Sequence, residues 1–518
     1  MKATLRALNE TRWTILAFAL AGFAMTILQS MAYFRMAGHT FAERAAFGYS
    51  QALDAVANAV LVPPPVHPET VAGYLELRAF EPLAILFAAW AMASAIASNS
   101  RQTISRAAAF AISASIAAAA ACVGVLIGVR SGGESVGGFG LVEAGLLVVA
   151  LAIACYAICL IVAQITPAPS VIAAGLLLAL FFLNSLSRVF AQLAAVRWLS
   201  PFRYYDLSTP LPAGGHFHVV GFGVLLVIAS CGTGAAALLP TIRARTAPMS
   251  SAPPKAHRLT HEPSRVSLLA LPVARDLYPQ RIAIAAWCVA FAALGAVLVA
   301  AERTAMQDLL ALPRGLPGLP QYIFVQYAQV LGYTWLGVAL LMSAALVFAF
   351  VARWAADDRD GRLEAALSAP YSRSRVVLER IAAVALTAAA LTGLSGLAVA
   401  FTSSAMNLAL DSSRLADACL LLVLFSVALG AAGSLLTASA PRAAMALFGA
   451  FLLAGYLDDQ IGAPLRLPLW VQDISPFRLV GTPLANGIDG RSVALLLLLT
   501  LALTGSSILA MQRRDVGA

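Results

Sequence analysis

Apolar runs of about 20 residues recur along the whole chain, separated by short polar segments. A helix of that length crosses the roughly 30 Å hydrocarbon core of a bilayer, because each residue adds about 1.5 Å. Six runs fall near 13–33, 80–98, 107–129, 141–165, 169–186 and 217–239. Six more fall near 282–301, 327–351, 379–402, 416–438, 441–457 and 491–511. The pattern predicts an all-α polytopic membrane protein of about twelve transmembrane helices. The first run, Trp13 to Tyr33, is too long for the core of a cleavable signal peptide and is expected to remain as a span.

The polar segments sort the runs into two sets. Residues 241–280 are rich in Pro, Ser and Arg and read as a linker between halves 1–240 and 281–518. The linker carries Arg243, Arg245, Lys255, Arg258, Arg265 and Arg275 against Glu262 and Asp276. Lys2, Arg6 and Arg12 begin the chain, and Arg513 and Arg514 follow the last run. An even number of spans places these three basic segments on one side, which marks that side as cytoplasmic. The opposite segments are acidic or balanced, with Glu43, Asp54, Glu69 and Glu76. Both termini are therefore expected in the cytoplasm, with the chain multi-pass in a bacterial plasma membrane.

A repeat supports the division. "WLSPFRYYDLSTPL" begins at Trp198 and "WVQDISPFRLVGTPL" at Trp470. Ser200, Pro201, Phe202 and Arg203 return as Ser475, Pro476, Phe477 and Arg478, each time between the fifth and sixth runs of a set. Two duplicated six-helix halves fused in parallel account for this. The prolines break the helices where the chain dips in and returns near the outer surface. Arg203 and Arg478 are expected to reach phosphates or carbonyls there.

Composition removes most other function classes. The chain is 60% hydrophobic and 11% charged, with a mean hydropathy of +0.84, too apolar for soluble cores. Its net charge of +9 fits basic loops facing anionic lipid, so no nucleic-acid partner is expected. Cys122, Cys155, Cys159, Cys231, Cys288 and Cys419 lie in or beside apolar runs and read as free thiols. His257 and His261 sit in the linker without a cysteine partner, and His216 and His218 flank a span, so neither pair reads as a metal site. No nucleophile-elbow or His-Glu-x-x-His pattern occurs, so a membrane enzyme lacks a catalytic set. A phosphate-binding loop needs a lysine after glycine; the only lysines are Lys2 and Lys255, and neither follows one. No cofactor is expected on this chain, and ATP with its Mg²⁺ would sit on a partner. The spans hold almost no ionisable side chains. Glu81, Glu143 and Glu302 fall at span ends and read as interfacial anchors, which argues against ion coupling.

The densest charged segment, "DDRDGRLEAALSAPYSRSRVVLERIAAVAL", starts at Asp357 between two apolar runs. Leu363, Ala366 and Leu367 make an apolar stripe at helical spacing, with Arg359, Arg362 and Glu364 on the more polar surface. Pro370 ends the helix, and Arg373, Arg375 and Arg380 are expected to face lipid phosphates or an acidic partner. Such a helix lies at a membrane surface and docks in a groove of a soluble protein. "DDRDGR" also resembles the Asp-Arg-x-Gly-Arg loop of major-facilitator carriers, which makes a proton-coupled secondary multidrug carrier the alternative. Against it stand the long segment from Phe34 to Phe80 and the Ser-Pro-Phe-Arg repeat.

The longer stretch resembles the cytoplasmic loop of type-2 ATP-binding-cassette export permeases, with a Gly-x-Leu-Glu run and then Leu-x-x-Pro-x-Ser-Arg. Gly361, Leu363, Glu364, Leu367, Pro370, Ser372 and Arg373 carry the match. Ser-Pro-Phe before the last span and a terminal Arg-Asp are also similar to that family, in particular to the fused twelve-span form of actinobacterial polyketide antibiotic (tetronasin-type) exporters. The resemblance implies the membrane subunit of an ATP-driven exporter, worked by a separate ATPase in two copies. It implies ATPase contact through Arg359, Gly361, Arg362, Leu363, Glu364, Leu367, Pro370 and Arg373. In the first half the contact would pass through the shorter "SNSRQTISR", with Arg101. The expected cargo is amphipathic or hydrophobic: drugs, polyketide antibiotics or lipids. Phe87, Trp90, Phe181, Phe182, Tyr333, Trp335 and Tyr456 are candidates to line its path.

Overall fold

The computed structural model describes residues 2–57, 63–96, 103–166, 169–246, 272–310, 327–359, 361–368, 372–441 and 443–514. Among them all regular structure is helical, apart from one isolated bridge between Thr209 and His216. The first set of long helices is α1 (Arg12–Met36), α2 (Val71–Ile96), α3 (Thr103–Ser131), α4 (Gly138–Ile165), α5 (Pro169–Leu186) and α6 (Val219–Thr246). The second set is α7 (Arg281–Leu310), α8 (Tyr327–Arg359), α9 (Arg373–Ala405), α10 (Ser412–Ser439), α11 (Ala444–Ile461) and α12 (Gly490–Arg513).

Ten of these, among the described residues, are long and apolar enough to cross a membrane. The remaining two are α5 and α11, the fifth of each set, with 18 residues apiece. At 1.5 Å per residue each reaches roughly 27 Å. Both are followed by the Ser-Pro-Phe-Arg segments, whose prolines open new short helices.

The second helix begins earlier than its apolar run. It starts at Val71, capped by the Thr70 side chain, and passes through a π-helical turn at Glu76–Phe80 before continuing from Glu81. Glu76, expected in a loop, is therefore inside a helix. Among the described residues before it lies a further helix. The helix Phe41–Ala57 is tied down by an Arg44–Glu134 ion pair at 2.5 Å and by Arg78 donating to Gln51 Oε1 at 2.9 and 3.1 Å. Glu43 accepts from the backbone N–H groups of Thr40 and His39, which hold its carboxyl below the usual range.

The two sets pack alike. The first helix lies on the third in each (α1 on α3, α7 on α9), and the fourth contacts the second, third and sixth. Lipid gives helices little hydrophobic reason to associate, so small residues and hydrogen bonds set the crossings. Gly124 lies against Phe23 and Thr26, and Gly128 against Ser30. Thr26 Oγ1 donates to the carbonyl of Ala121 at 2.9 Å. In the second set Gly295 lies against Ser395, whose Oγ donates to the carbonyl of Phe291 at 3.1 Å. Trp335 Nε1 donates to that same Oγ, also at 3.1 Å.

The sets also meet reciprocally. The first helix of each packs on the fifth of the other: α1 on α11, and α7 on α5. Leu457 joins the core of the first set, while Leu178 and Phe182 pack against the core of the second. At the end of this seam Ala32, Ile461 and Leu465 form a buried cluster, and Arg35 donates to the carbonyl of Leu465 at 2.7 Å.

The α1–α3 crossing yields a paired test. Gly124→Ala would place a methyl against the Phe23 carbonyl and Thr26 Oγ1, whereas nothing lies near the corresponding position of Gly393. Alanine favours a helix over glycine by roughly 0.5–1 kcal/mol, but overpacking costs about 1–3 kcal/mol. Gly124→Ala should lower the thermal midpoint in detergent, and Gly393→Ala should hold or raise it. Equal shifts would contradict the crossing.

Candidate functional site

Beyond α8, Gly361 takes a left-handed conformation at φ +71°, which a residue without Cβ adopts at little cost. The surface helix Arg362–Leu367 follows. Leu363 is buried, and with Leu367 it packs on Val376, Val377, Ala438 and Met511. The apolar stripe expected to meet a partner is thus already covered by this chain. Its opposite face is exposed at Arg362, Glu364, Ala365 and Ser368. Arg362 reaches Asp357 at 3.3 Å.

Two basic residues expected to face lipid or a partner are engaged within the chain. Arg373 Nη1 donates to the carbonyls of Met511, Gln512 and Arg514 at 3.4, 2.9 and 2.6 Å. It closes the end of α12, whose last carbonyls have no helical partner. Arg380 is buried, its guanidinium 5.3 Å from the Trp354 ring centroid. Arg375 remains at the surface, paired with Glu379 at 2.9 Å. Arg101, Pro370 and the side chains of Arg359 and Ala366 lie outside the described residues.

The two Ser-Pro-Phe-Arg turns are built by the same rule. Ser200 and Ser475 are extended, and Pro201 and Pro476 occupy the first turn of Pro201–Tyr205 and Pro476–Val480. Neither serine caps its own helix. Ser200 Oγ donates to the carbonyl of Leu180 at 2.7 Å, and Ser475 Oγ to that of Gly455 at 2.8 Å. Both acceptors lie 20 residues earlier, on the fifth helix. The phenylalanines repeat the arrangement: Phe202 meets Phe181 edge-on at 5.4 Å, and Phe477 meets Tyr456 at 6.2 Å.

The arginines of the turns diverge. Arg203 lies 5.1 Å from the Trp198 ring centroid, and burial with neighbouring Arg197 holds its pKa below the usual value. Arg478 lies within electrostatic reach of Asp458 and Asp459. Beside the first turn Asp206 accepts from Asn184 at 2.6 Å and pairs with Arg188. Glu76 accepts from the backbone of Leu211 at 3.1 Å. Sequence reading missed this network, because its members are scattered over four segments. The one signal was Asn184, a polar residue inside an apolar run.

The aromatic candidates separate into two groups. Phe87, Trp90 and Trp335 are core residues; Trp90 stacks on Phe18 at 4.2 Å and meets Phe110 at 5.1 Å. Phe181, Phe182 and Tyr456 are partly buried on the two helices that meet the other set. The Tyr333 side chain lies outside the described residues. Glu302, expected as an interfacial anchor, is 1% exposed and hydrogen-bonded to Thr334.

The strap from turn to fifth helix has a measurable contribution. Ser200→Ala or Ser475→Ala leaves a covered carbonyl without its hydroxyl donor, at a cost of about 1–2 kcal/mol each. Both variants should therefore melt earlier in detergent, while Ser200→Thr and Ser475→Thr should melt closer to the parent. Parent-like melting of both alanine variants would contradict the strap.

Residues 269–512 match the family model of the multidrug efflux system permease Rv1217c, C-terminal domain. No curated protein matches the chain. The matched stretch contains α7 to α12, the surface helix and the second Ser-Pro-Phe-Arg turn. It supports a permease subunit of an exporter embedded in a membrane, and it gives the secondary-carrier alternative no support.

Proposed function

We propose that this chain is the complete membrane pathway of an ATP-driven exporter, with residues 1–240 and 281–518 as its two halves and all twelve helices as spans. A separate ATP-binding-cassette ATPase, in two copies, would hold ATP and Mg²⁺ and dock on the cytoplasmic side. The cargo would be an amphipathic or hydrophobic compound drawn through the bacterial plasma membrane. The family match over residues 269–512 carries this reading.

Further features support it. The surface helix has its apolar face covered and its charged face exposed, so a docking protein would meet Arg362, Glu364 and Ser368. Two similar sets meeting through first and fifth helices make a pseudo-dimer, in which a pathway would run along the seam. Phe181, Phe182 and Tyr456 would then contact cargo, and the core residues Phe87, Trp90 and Trp335 would support the wall.

Glu364→Arg reverses an exposed charge without disturbing Leu363. It is expected to weaken ATPase capture by about tenfold, roughly 1.4 kcal/mol, at unchanged membrane insertion. Capture equal to the parent would remove the surface helix from the interface. In vesicles holding chain and ATPase, daunorubicin export should persist when an uncoupler collapses the proton gradient at constant ATP. Export abolished by the uncoupler would favour a proton-coupled carrier.

Sidedness is tested separately. Ser374→Cys should react with an impermeant maleimide only from the cytoplasm, and His67→Cys only from outside. Reaction of both from one side would overturn the proposed orientation.

A further inference from the structure

The first Ser-Pro-Phe-Arg turn carries basic groups that its own chain does not satisfy. Arg188 lies just after α5, Arg197 opens the short helix Arg197–Leu199, and Arg203 lies in Pro201–Tyr205. Arg188 is taken up by Asp206, which also accepts from Asn184. Arg197 and Arg203 have no such bond. Among the described residues neither side chain makes a hydrogen bond or an ion pair, and the Nε of each is withdrawn from solvent without an acceptor.

Trp198 holds them in place. The guanidinium carbon of Arg197 lies 5.4 Å from the indole centroid, and that of Arg203 5.1 Å. Tyr204 steadies the segment by donating its hydroxyl to the Trp198 carbonyl at 2.8 Å. A guanidinium over an indole face is attracted to it, but its N–H groups still need acceptors. Arg203 is within electrostatic reach of Arg197 and Arg188 as like charges and of Asp206 as the opposing one. Glu81 lies within reach of Arg188 and Asp206, so the unbalanced charge falls on Arg197 and Arg203.

The surroundings of this pair are apolar and exposed. Val196, Trp198 and Leu199 are open at the surface, Leu199 at 71%. In a membrane-embedded chain, exposed apolar side chains meet lipid, and Trp, Tyr and Arg together mark the depth of the headgroups. A small anion would use the guanidinium pair without this apolar rim. A phospholipid would use both, with its phosphate on the arginines and its acyl chains along Val196 and Leu199.

The second turn shows that the repeat alone does not build such a site. Leu469 and Trp470 are exposed there too, but leucine precedes the tryptophan where Arg197 does in the first set. Arg478 lies within electrostatic reach of Asp458 and Asp459, and Arg491 pairs with Asp473 at 2.6 Å. The basic groups of the second turn are thus answered within the chain.

We propose that Arg197 and Arg203, set on Trp198, form a binding site for the phosphate of an anionic phospholipid beside the first Ser-Pro-Phe-Arg turn. Forked guanidinium groups match phosphate oxygens two at a time. The two arginines flank Ser200, whose hydroxyl straps the turn to α5, so a bound lipid would sit beside the helix that meets α7. The proposal goes beyond the ATP-driven reading and does not depend on it, since binding needs neither ATPase nor cargo.

The test uses the full chain purified in a neutral maltoside detergent. It is titrated with phosphatidylglycerol, phosphatidylcholine or inorganic phosphate, and bound molecules are counted by native mass spectrometry. The parent should hold phosphatidylglycerol about tenfold more tightly than phosphatidylcholine, and an excess of inorganic phosphate should not displace it. Arg197→Gln combined with Arg203→Gln should weaken that binding by about tenfold or more, while Arg478→Gln should leave it at the parent level. Arg197→Lys combined with Arg203→Lys should fall between, because lysine keeps the charge but not the fork. Parent-like binding in the double glutamine variant would overturn the proposal, as would an equal loss in Arg478→Gln or equal affinity for both lipids. Displacement by inorganic phosphate would replace the lipid with a small anion and overturn it as well. Where the double glutamine variant does not purify, the double lysine variant decides: weakened binding supports the site, and parent-like binding overturns it.

Discussion

Backbone that leaves a helix must find new hydrogen-bond partners, and apolar surroundings supply none. The two Ser-Pro-Phe-Arg turns meet this constraint in the same way. Each proline starts a new short helix, each serine hydroxyl reaches back to a carbonyl of the fifth helix, and each phenylalanine covers the join with an aromatic ring. The fifth helices, α5 and α11, end at Leu186 and Ile461, before the turns begin. Each packs on the first helix of the opposite set, and just beyond α11 Leu465 meets Ala32. The turns therefore strap back onto the same two helices that form the seam between the sets.

The long helices were legible because a bilayer imposes one length and one composition on anything that crosses it. The repeat was legible because four consecutive residues carry it. The start of α2 was not, since the polar residues Glu76 and Arg78 lie on a π-helical turn that apolar periodicity does not mark. Nor was the orientation of the surface helix. Its spacing shows that Leu363 and Leu367 share a face, but their cover comes from Ala438 and Met511, which lie far along the chain. Arg373 and Arg380 follow the same logic. A basic residue beside a span is usually set against lipid, and only the fold reveals that one closes α12 and the other lies against Trp354. Large aromatics in an apolar run serve equally as core, lipid face or pathway, and the sequence carries no mark that separates Trp335 from Tyr456.

The similar packing of both sets and the asymmetry of their loops belong together. Reciprocal contact between the sets needs equivalent helices. It does not need equivalent loops, and only the second set is accompanied by the Gly-x-Leu-Glu run. The second set also holds the charged end of α12, where Arg514 binds Asp358 of α8 and Arg373 of α9 binds the last carbonyls. The outer ends differ as well: Asn184 holds Asp206 in the first half, whereas Asp458 and Asp459 face Arg478 in the second.

The most direct measurement of this account is a cross-link across the seam. Ala32→Cys and Leu465→Cys would be introduced together, with a protease site placed within residues 241–280, and the protein oxidised in native membranes before cleavage. Reciprocal contact of first and fifth helices predicts that the two halves stay joined on a non-reducing gel and separate after reduction. Halves that separate whether or not they were oxidised would contradict it.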